Sequence, residues 1–119
     1  MSKRVLILDD DYSNAEALAL IMEQEGFLAS HIQSAQFLFS SIEEFNPDIL
    51  FLDIQLGQND GRLICNEVKA NQATKYLPII LISALLPIQI MQVESMEDGV
   101  ITKPFDIDEV IALVHHILH

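Results

Sequence analysis

The sequence predicts an α/β fold: a doubly wound, five-stranded parallel sheet with five helices on its two faces, a three-layer α/β/α sandwich. Three observations carry this expectation. Apolar runs with no helical period recur at Val5–Leu8, Ile49–Leu52 and Ile79–Ile82, as in strands buried on both faces. Segments with a period of three to four residues alternate with the strand candidates, so strand and helix follow one another five times. Carboxylates or hydroxyls close the strong strands, and right-handed crossovers would bring those strand ends to one edge of the sheet.

Val5-Leu6-Ile7-Leu8 ends in Asp9, Asp10 and Asp11. Ser13 to Glu25 then reads as a helix with Ala15, Leu18 and Met22 on one face beside Ala17 and Ile21, and Gly26 stops it. Phe27 to Ile32 is a shorter strand. Ser34 is placed to cap a helix whose apolar positions are Ala35, Leu38, Ile42 and Phe45, and Asn46-Pro47 ends it. The central run Ile49-Leu50-Phe51-Leu52 delivers Asp53 to a strand end. Gly57, Asn59, Asp60 and Gly61 follow as a turn, with Asn59 or Asp60 capping a helix that carries Leu63, Ile64 and Val68 inward.

Ile79-Ile80-Leu81-Ile82 ends in Ser83-Ala84. Pro87 suits a first helical turn, but Leu85 and Leu86 offer no side-chain oxygen to the orphan N–H groups, so the fourth helix is expected to be short or frayed. Val100-Ile101-Thr102 is a short strand leading into Lys103-Pro104-Phe105. Asp106 and Glu109 have the capping-box spacing, and the last helix is expected to bury Ile107, Val110, Ile111, Val114 and Ile117 or Leu118. The whole chain, residues 1–119, reads as a single domain with no linker or repeat.

Composition narrows the function. Six basic against eighteen acidic residues give a formal net charge of −12, which repels nucleic-acid phosphates and anionic lipid and disfavours direct binding to either. The longest apolar stretch, Leu77 to Met91, is interrupted by Pro78, Ser83, Pro87 and Gln89 and is too short to span a bilayer. The N-terminus lacks the apolar core of a signal peptide. The single cysteine, Cys65, falls inside a helical pattern as core filler. A cytoplasmic, reducing compartment is expected.

The strand ends assemble the chemistry: Asp9 and Asp10, Asp53, Ser83 and Lys103. Three carboxylates packed closely repel by roughly 4 kcal/mol per pair at about 4 Å and an effective dielectric near 20, unless a cation intervenes. An all-oxygen donor set suits Mg²⁺ better than Zn²⁺. Lys103 and the Ser83 hydroxyl, with the metal, can hold the three oxygens of a phosphoryl group on Asp53, because a carboxylate can act as a nucleophile and form an aspartyl phosphate. His115, His116 and His119 read as solvated groups favoured by a helix C-terminus, not as ligands, and His31 carries no evident chemistry.

Taken together, Leu8-Asp9-Asp10-Asp11, Asp48 to Asp53 with Gly61, Pro78 to Ala84, and Lys103-Pro104-Phe105 resemble the receiver domain of response regulators in two-component signalling. The resemblance covers essentially the whole chain. It implies a flavodoxin-like fold with strand order 2-1-3-4-5, an order for which a chemotaxis receiver is a standard example. It also implies a phosphorylation-dependent signalling switch in a phosphorelay, not a turnover enzyme. Asp53 would be the phosphoacceptor, supplied by a sensor histidine kinase or a histidine phosphotransfer protein. Asp10 would bind Mg²⁺ directly, Asp9 through water, and the Gln55 backbone carbonyl would complete the protein ligands. Ser83 would close on the phosphoryl group as part of the switch and Lys103 would pair with its charge. The Lys103-Pro104 peptide would be cis.

Three features depart from the family pattern. Val100 stands where an aromatic relay is usual. Gly57 replaces a common proline and should loosen its loop. The interval from Ser83 to Lys103 is short, at the expense of the fourth helix. Ile88, Ile90, Met91, Val93 and Met96 leave that helix few polar positions, so residues 86–97 and the last helix form a candidate homodimer or effector face. Two other readings compete: a pseudo-receiver that binds partners without phosphorylation, and a phosphatase of the haloacid-dehalogenase type. The second would require an Asp-x-Asp nucleophile loop after its first strand, with a cap or longer loops.

Overall fold

The computed structural model describes residues 2–119. Its parallel sheet is built from β1 (Arg4–Leu8), β2 (Leu28–Ile32), β3 (Ile49–Asp53), β4 (Ile79–Ser83) and β5 (Gly99–Thr102). Spatially the order is β2-β1-β3-β4-β5, with every neighbouring pair parallel, which is the flavodoxin-like arrangement. The helices are α1 (Tyr12–Gln24), α2 (Leu38–Phe45), α3 (Gly61–Ala70), α4 (Pro87–Ile90) and α5 (Ile107–Leu118). Among the described residues no helix is long and apolar enough to cross a membrane.

Strand alternation divides the core into two layers. Leu6, Leu8, Leu50, Leu52, Ile79 and Leu81 pack with Leu38 of α2 and Ile64, Cys65 and Val68 of α3. On the other face, Val5, Ile7, Ile49, Phe51, Ile80 and Ile82 meet Ala15, Leu18 and Met22 of α1 and Val110 and Val114 of α5. Because β1, β3 and β4 are covered on both sides, each needs apolar residues at every position, and this explains their unbroken runs.

Several element-level expectations need correction. A helix advances about 100° per residue, so the inward stripe of α1 is Ala15, Leu18, Ala19 and Met22 while Ala17 faces water. By the same geometry Leu63 lies opposite Ile64, Cys65 and Val68 and is 54% exposed. Ile107 is 51% exposed because it opens α5, ahead of Val110, the first residue of that helix to reach the core. Ser34 makes no side-chain cap: it precedes a 3₁₀ turn, Ala35–Phe37, and α2 begins only at Leu38. The fourth helix is short, a single turn. Its Leu86 N–H is satisfied by Gln89 Oε1 at 2.8 Å in place of a capping hydroxyl.

Candidate functional site

Register places the functional candidates on one edge. Leu8 pairs with Ile32 and Leu52, Asp53 with Ile82, and Ser83 with Thr102. The residues that follow β1 and β5 therefore converge with the ends of β3 and β4. One carboxylate oxygen from each of Asp9, Asp10 and Asp53 lies within 4.8 Å of the other two. Asp9 and Asp53 are buried whereas Asp10 is exposed.

Each acid is held by a backbone N–H or a cation. Asp53 Oδ1 accepts from the Gln55 N–H at 3.0 Å, and its Oδ2 accepts from Lys103 Nζ at 2.9 Å. Asp9 Oδ1 accepts from the Asp11 N–H at 2.9 Å, and Lys103 lies 3.5 Å from Asp9 Oδ2. Burial pushes the Asp9 carboxyl up to about 6. The Asp11 N–H opposes that rise, the Asp53 charge adds to it, and Lys103 works against it. Burial alone would depress Lys103, but its bonds to Asp53 and Asp9 outweigh this and raise it.

The loop after Asp53 departs from expectation. Gln55–Leu56 and Asn59–Asp60 close it as a two-stranded ribbon, which its turn residues did not foretell. Gly57 supplies the turn with φ +60°, in the left-handed region that glycine tolerates. Its N–H, which a proline would lack, donates to Asp10 Oδ2 at 3.2 Å. Gly61 is equally tied to the site. It donates its N–H to the Ile54 carbonyl at 2.8 Å, and a Cβ there would sit 2.1 Å from the Asp53 carbonyl oxygen. Asp60 Oδ1 accepts from the Arg62 N–H and caps α3.

Ser83 is fully buried, and its Oγ accepts from the Leu85 N–H at 2.8 Å. A hydroxyl in that position can still donate its proton. The Lys103 N–H donates to the Ser83 carbonyl at 2.8 Å, and the Lys103-Pro104 peptide is cis. Val100 is half-buried and packs against the α2 and α3 side of the core. His115 and His119 stack at 5.6 Å on the exposed side of α5, with His115 beside Phe27 ahead of β2, at the opposite edge from the acids. His31 bonds Glu16 and Gln33.

Sequence reasoning missed the stripe of α3 that faces the residues after β4. Arg62 grips Asp60 through two N–H···O bonds and donates to the carbonyls of Gln89 and Ile90. Asn66 bonds the Glu94 carbonyl and the Met96 N–H. Lys69 reaches Asp98 and the Leu77 carbonyl. Spacing on α3 shows a shared face, but the partners of Arg62 and Asn66 after β4 are backbone groups nearly thirty residues away, which leave no mark in side-chain pattern.

The donor set can hold a hard divalent cation: all its groups are oxygens, the three carboxylates lie within 4.8 Å of one another, and the one lysine beside them contacts only Asp9 and Asp53. The model for the response regulator receiver domain matches residues 5–115. The chain belongs to that family, whose members are signalling switches. RpaA of Synechocystis sp., a DNA-binding dual master transcriptional regulator, is 29% identical over 117 residues, covering 97% of this chain and 48% of its own length. The DNA-binding response regulator MtrA of Mycolicibacterium paratuberculosis is 31% identical over 116 residues, covering 96% of this chain and 50% of its own. The chain thus spans about half the length of these curated relatives. The solved signal receiver domain of a signal transduction histidine kinase from Syntrophus aciditrophicus superposes with a TM-score of 0.89 at 25% identity, over 98% of this chain and 90% of that one.

Proposed function

We propose that this receiver domain takes a phosphoryl group onto Asp53 from a phosphohistidine on a sensor kinase or phosphotransfer protein, and that partners read its phosphorylation state. The observation that carries this reading is Asp53 itself: a buried carboxylate beside two others, with Lys103 at 2.9 Å. An Asp53 oxygen attacks phosphorus, the P–N bond to the donor imidazole breaks, and its electron pair stays on the leaving imidazole. Mg²⁺ held by Asp10 and Asp53, by Asp9 through water and by the Gln55 carbonyl would offset the charge on the phosphoryl oxygens. Lys103 supplies a second positive charge, and Ser83 turns its hydroxyl proton toward a phosphoryl oxygen. Water later hydrolyses the acyl phosphate slowly and resets the switch.

The chain functions as one receiver domain, in the cytoplasm where phosphohistidine donors occur. Leu86, Ile88, Met91 and Met96 are exposed beside α4 and offer a partner or a second copy an apolar face, whereas Ile90 is buried and belongs to the core. DNA binding named for the relatives is not carried over, because a net charge of −12 opposes it in this portion. A pseudo-receiver would not need the acids, Ser83 and Lys103 at one edge. Calorimetric titration with Mg²⁺ and then beryllofluoride, an acyl phosphate mimic, tests the reading. Binding of the mimic should require both Mg²⁺ and Asp53, and absence of binding would favour the pseudo-receiver.

A further inference from the structure

Val100 leaves the sheet without the aromatic side chain expected to report on Ser83, yet α3 provides a continuous physical connection from Asp53 to the residues after β4. It begins at the acceptor. Asp53 Oδ1 holds the Gln55 N–H. Gln55 pairs with Asp60 across the ribbon, and Asp60 grips Arg62 through Oδ1 at 3.0 Å and Oδ2 at 2.8 Å. Arg62 then donates to the Gln89 carbonyl at 2.9 Å and the Ile90 carbonyl at 3.2 Å. A second link is steric: Gly61 lies so close to the Asp53 carbonyl that not even a methyl group fits between them.

The receiving segment is suited to respond. After the single turn of α4, residues 91–98 have no regular secondary structure, so few backbone bonds of their own hold them. Arg62, Asn66 and Lys69 lie on one face of α3 at spacings of four and three residues, and they anchor the segment at Gln89–Ile90, Glu94 and Met96, and Asp98. A planar guanidinium with five donors can hold a carboxylate and two carbonyls at once, which a lysine cannot reproduce.

Resting on phosphorylation at Asp53, we infer that Arg62 is a positioning residue that transmits the change at Asp53 to residues 86–98. It does so through Asp60 and the start of α3, bypassing Val100. The phosphoryl group takes up a carboxylate oxygen of Asp53 and the ribbon that this carboxylate pins adjusts. Arg62 shifts with Asp60, and the carbonyls of Gln89 and Ile90 follow. Leu86, Ile88 and Met91, exposed around those carbonyls, are then presented differently to solvent.

Hydrogen exchange with and without acetyl phosphate and Mg²⁺ tests this, with intact mass read from the same samples. In the wild type, the amides of Ile90, Met91 and Met96 should change exchange rate on phosphorylation. Arg62→Gln should gain the same phosphoryl mass while that change shrinks about fivefold, and Arg62→Lys should fall between the two. Val100→Ala should respond as the wild type does. Equal mass with an undiminished response in both Arg62 variants would overturn the inference alone, as would loss of the response in Val100→Ala with retention in Arg62→Gln. Absence of added mass on the wild type would overturn the proposed function and this inference with it.

Discussion

Lys103 Nζ stands 2.9 Å from Asp53 Oδ2 and 3.5 Å from Asp9 Oδ2, so one ammonium is shared between two buried carboxylates. Removing it leaves those charges facing each other without a counter-ion. Lys103→Ala should lower stability by about 3 kcal/mol at neutral pH in metal-free buffer, the usual cost of leaving a buried charge unpaired. Mg²⁺ should bind the variant more tightly than the wild type, because it no longer competes with the ammonium. Urea denaturation with and without Mg²⁺ measures both effects.

The Asp9 carboxyl provides a signature in pH. Its folded value is raised from 3.8 to about 6, so between those values the folded state binds more protons than the unfolded one. Stability of the metal-free chain should therefore be greatest below pH 4 as far as this group is concerned, and be lost as pH rises through about 6. About two units correspond to an upper figure on the order of 3 kcal/mol. Mg²⁺ affinity should move the opposite way and weaken as pH falls through about 6, since protonation removes the Asp9 charge that would hold the metal's water. In Asp9→Asn this contribution to the pH dependence should vanish, as followed by denaturation at a series of pH values.

Gly61 tests how tightly α3 is held against the acceptor. Its missing side chain makes room for the Asp53 carbonyl, which a Cβ would approach to 2.1 Å. The obstruction is backbone and cannot rotate away. Gly61→Ala should cost about 3 kcal/mol, the upper end of ordinary overpacking, and should also displace Asp53 enough to slow phosphorylation. Thermal or urea unfolding measures the first effect and the rate of mass gain the second.

Cys65 offers a check on the core. It is completely buried against the sheet, and burial, with Glu97 adding to it, raises its thiol to about 11. The native protein should not react with a thiol reagent at about pH 8, and full reactivity should appear only on unfolding. Rapid labelling in native buffer would show that α3 opens more readily than its packing implies.

The strands were legible because both faces of β1, β3 and β4 are covered, which leaves no polar position to interrupt their apolar runs. The acids, Ser83 and Lys103 were legible as a set because parallel topology brings strand ends together wherever they fall in sequence. Apolar residues on helices proved harder to place. Leu63 and Ala17 sit among the right neighbours but on the outer face, and Ile107 has the right angle at the wrong end of its helix. The Gly57 N–H aimed at Asp10 was not legible, because it is a property of backbone geometry that residue type does not reveal. Arg62 escaped notice for a related reason: an arginine after Asp60-Gly61 looks like a solvated residue until the carbonyls of Gln89 and Ile90 are seen beside it.

If Asp53 is a nucleophile toward phosphorus, the mass of the chain records the transfer. The measurement is intact-protein mass after incubation with Mg²⁺ and acetyl phosphate, beside a chelator control and Asp53→Asn. A single phosphoryl mass on the wild type, absent from both controls, is the predicted result. An unmodified wild type that binds Mg²⁺ normally, or a phosphoryl group retained by Asp53→Asn, would contradict it.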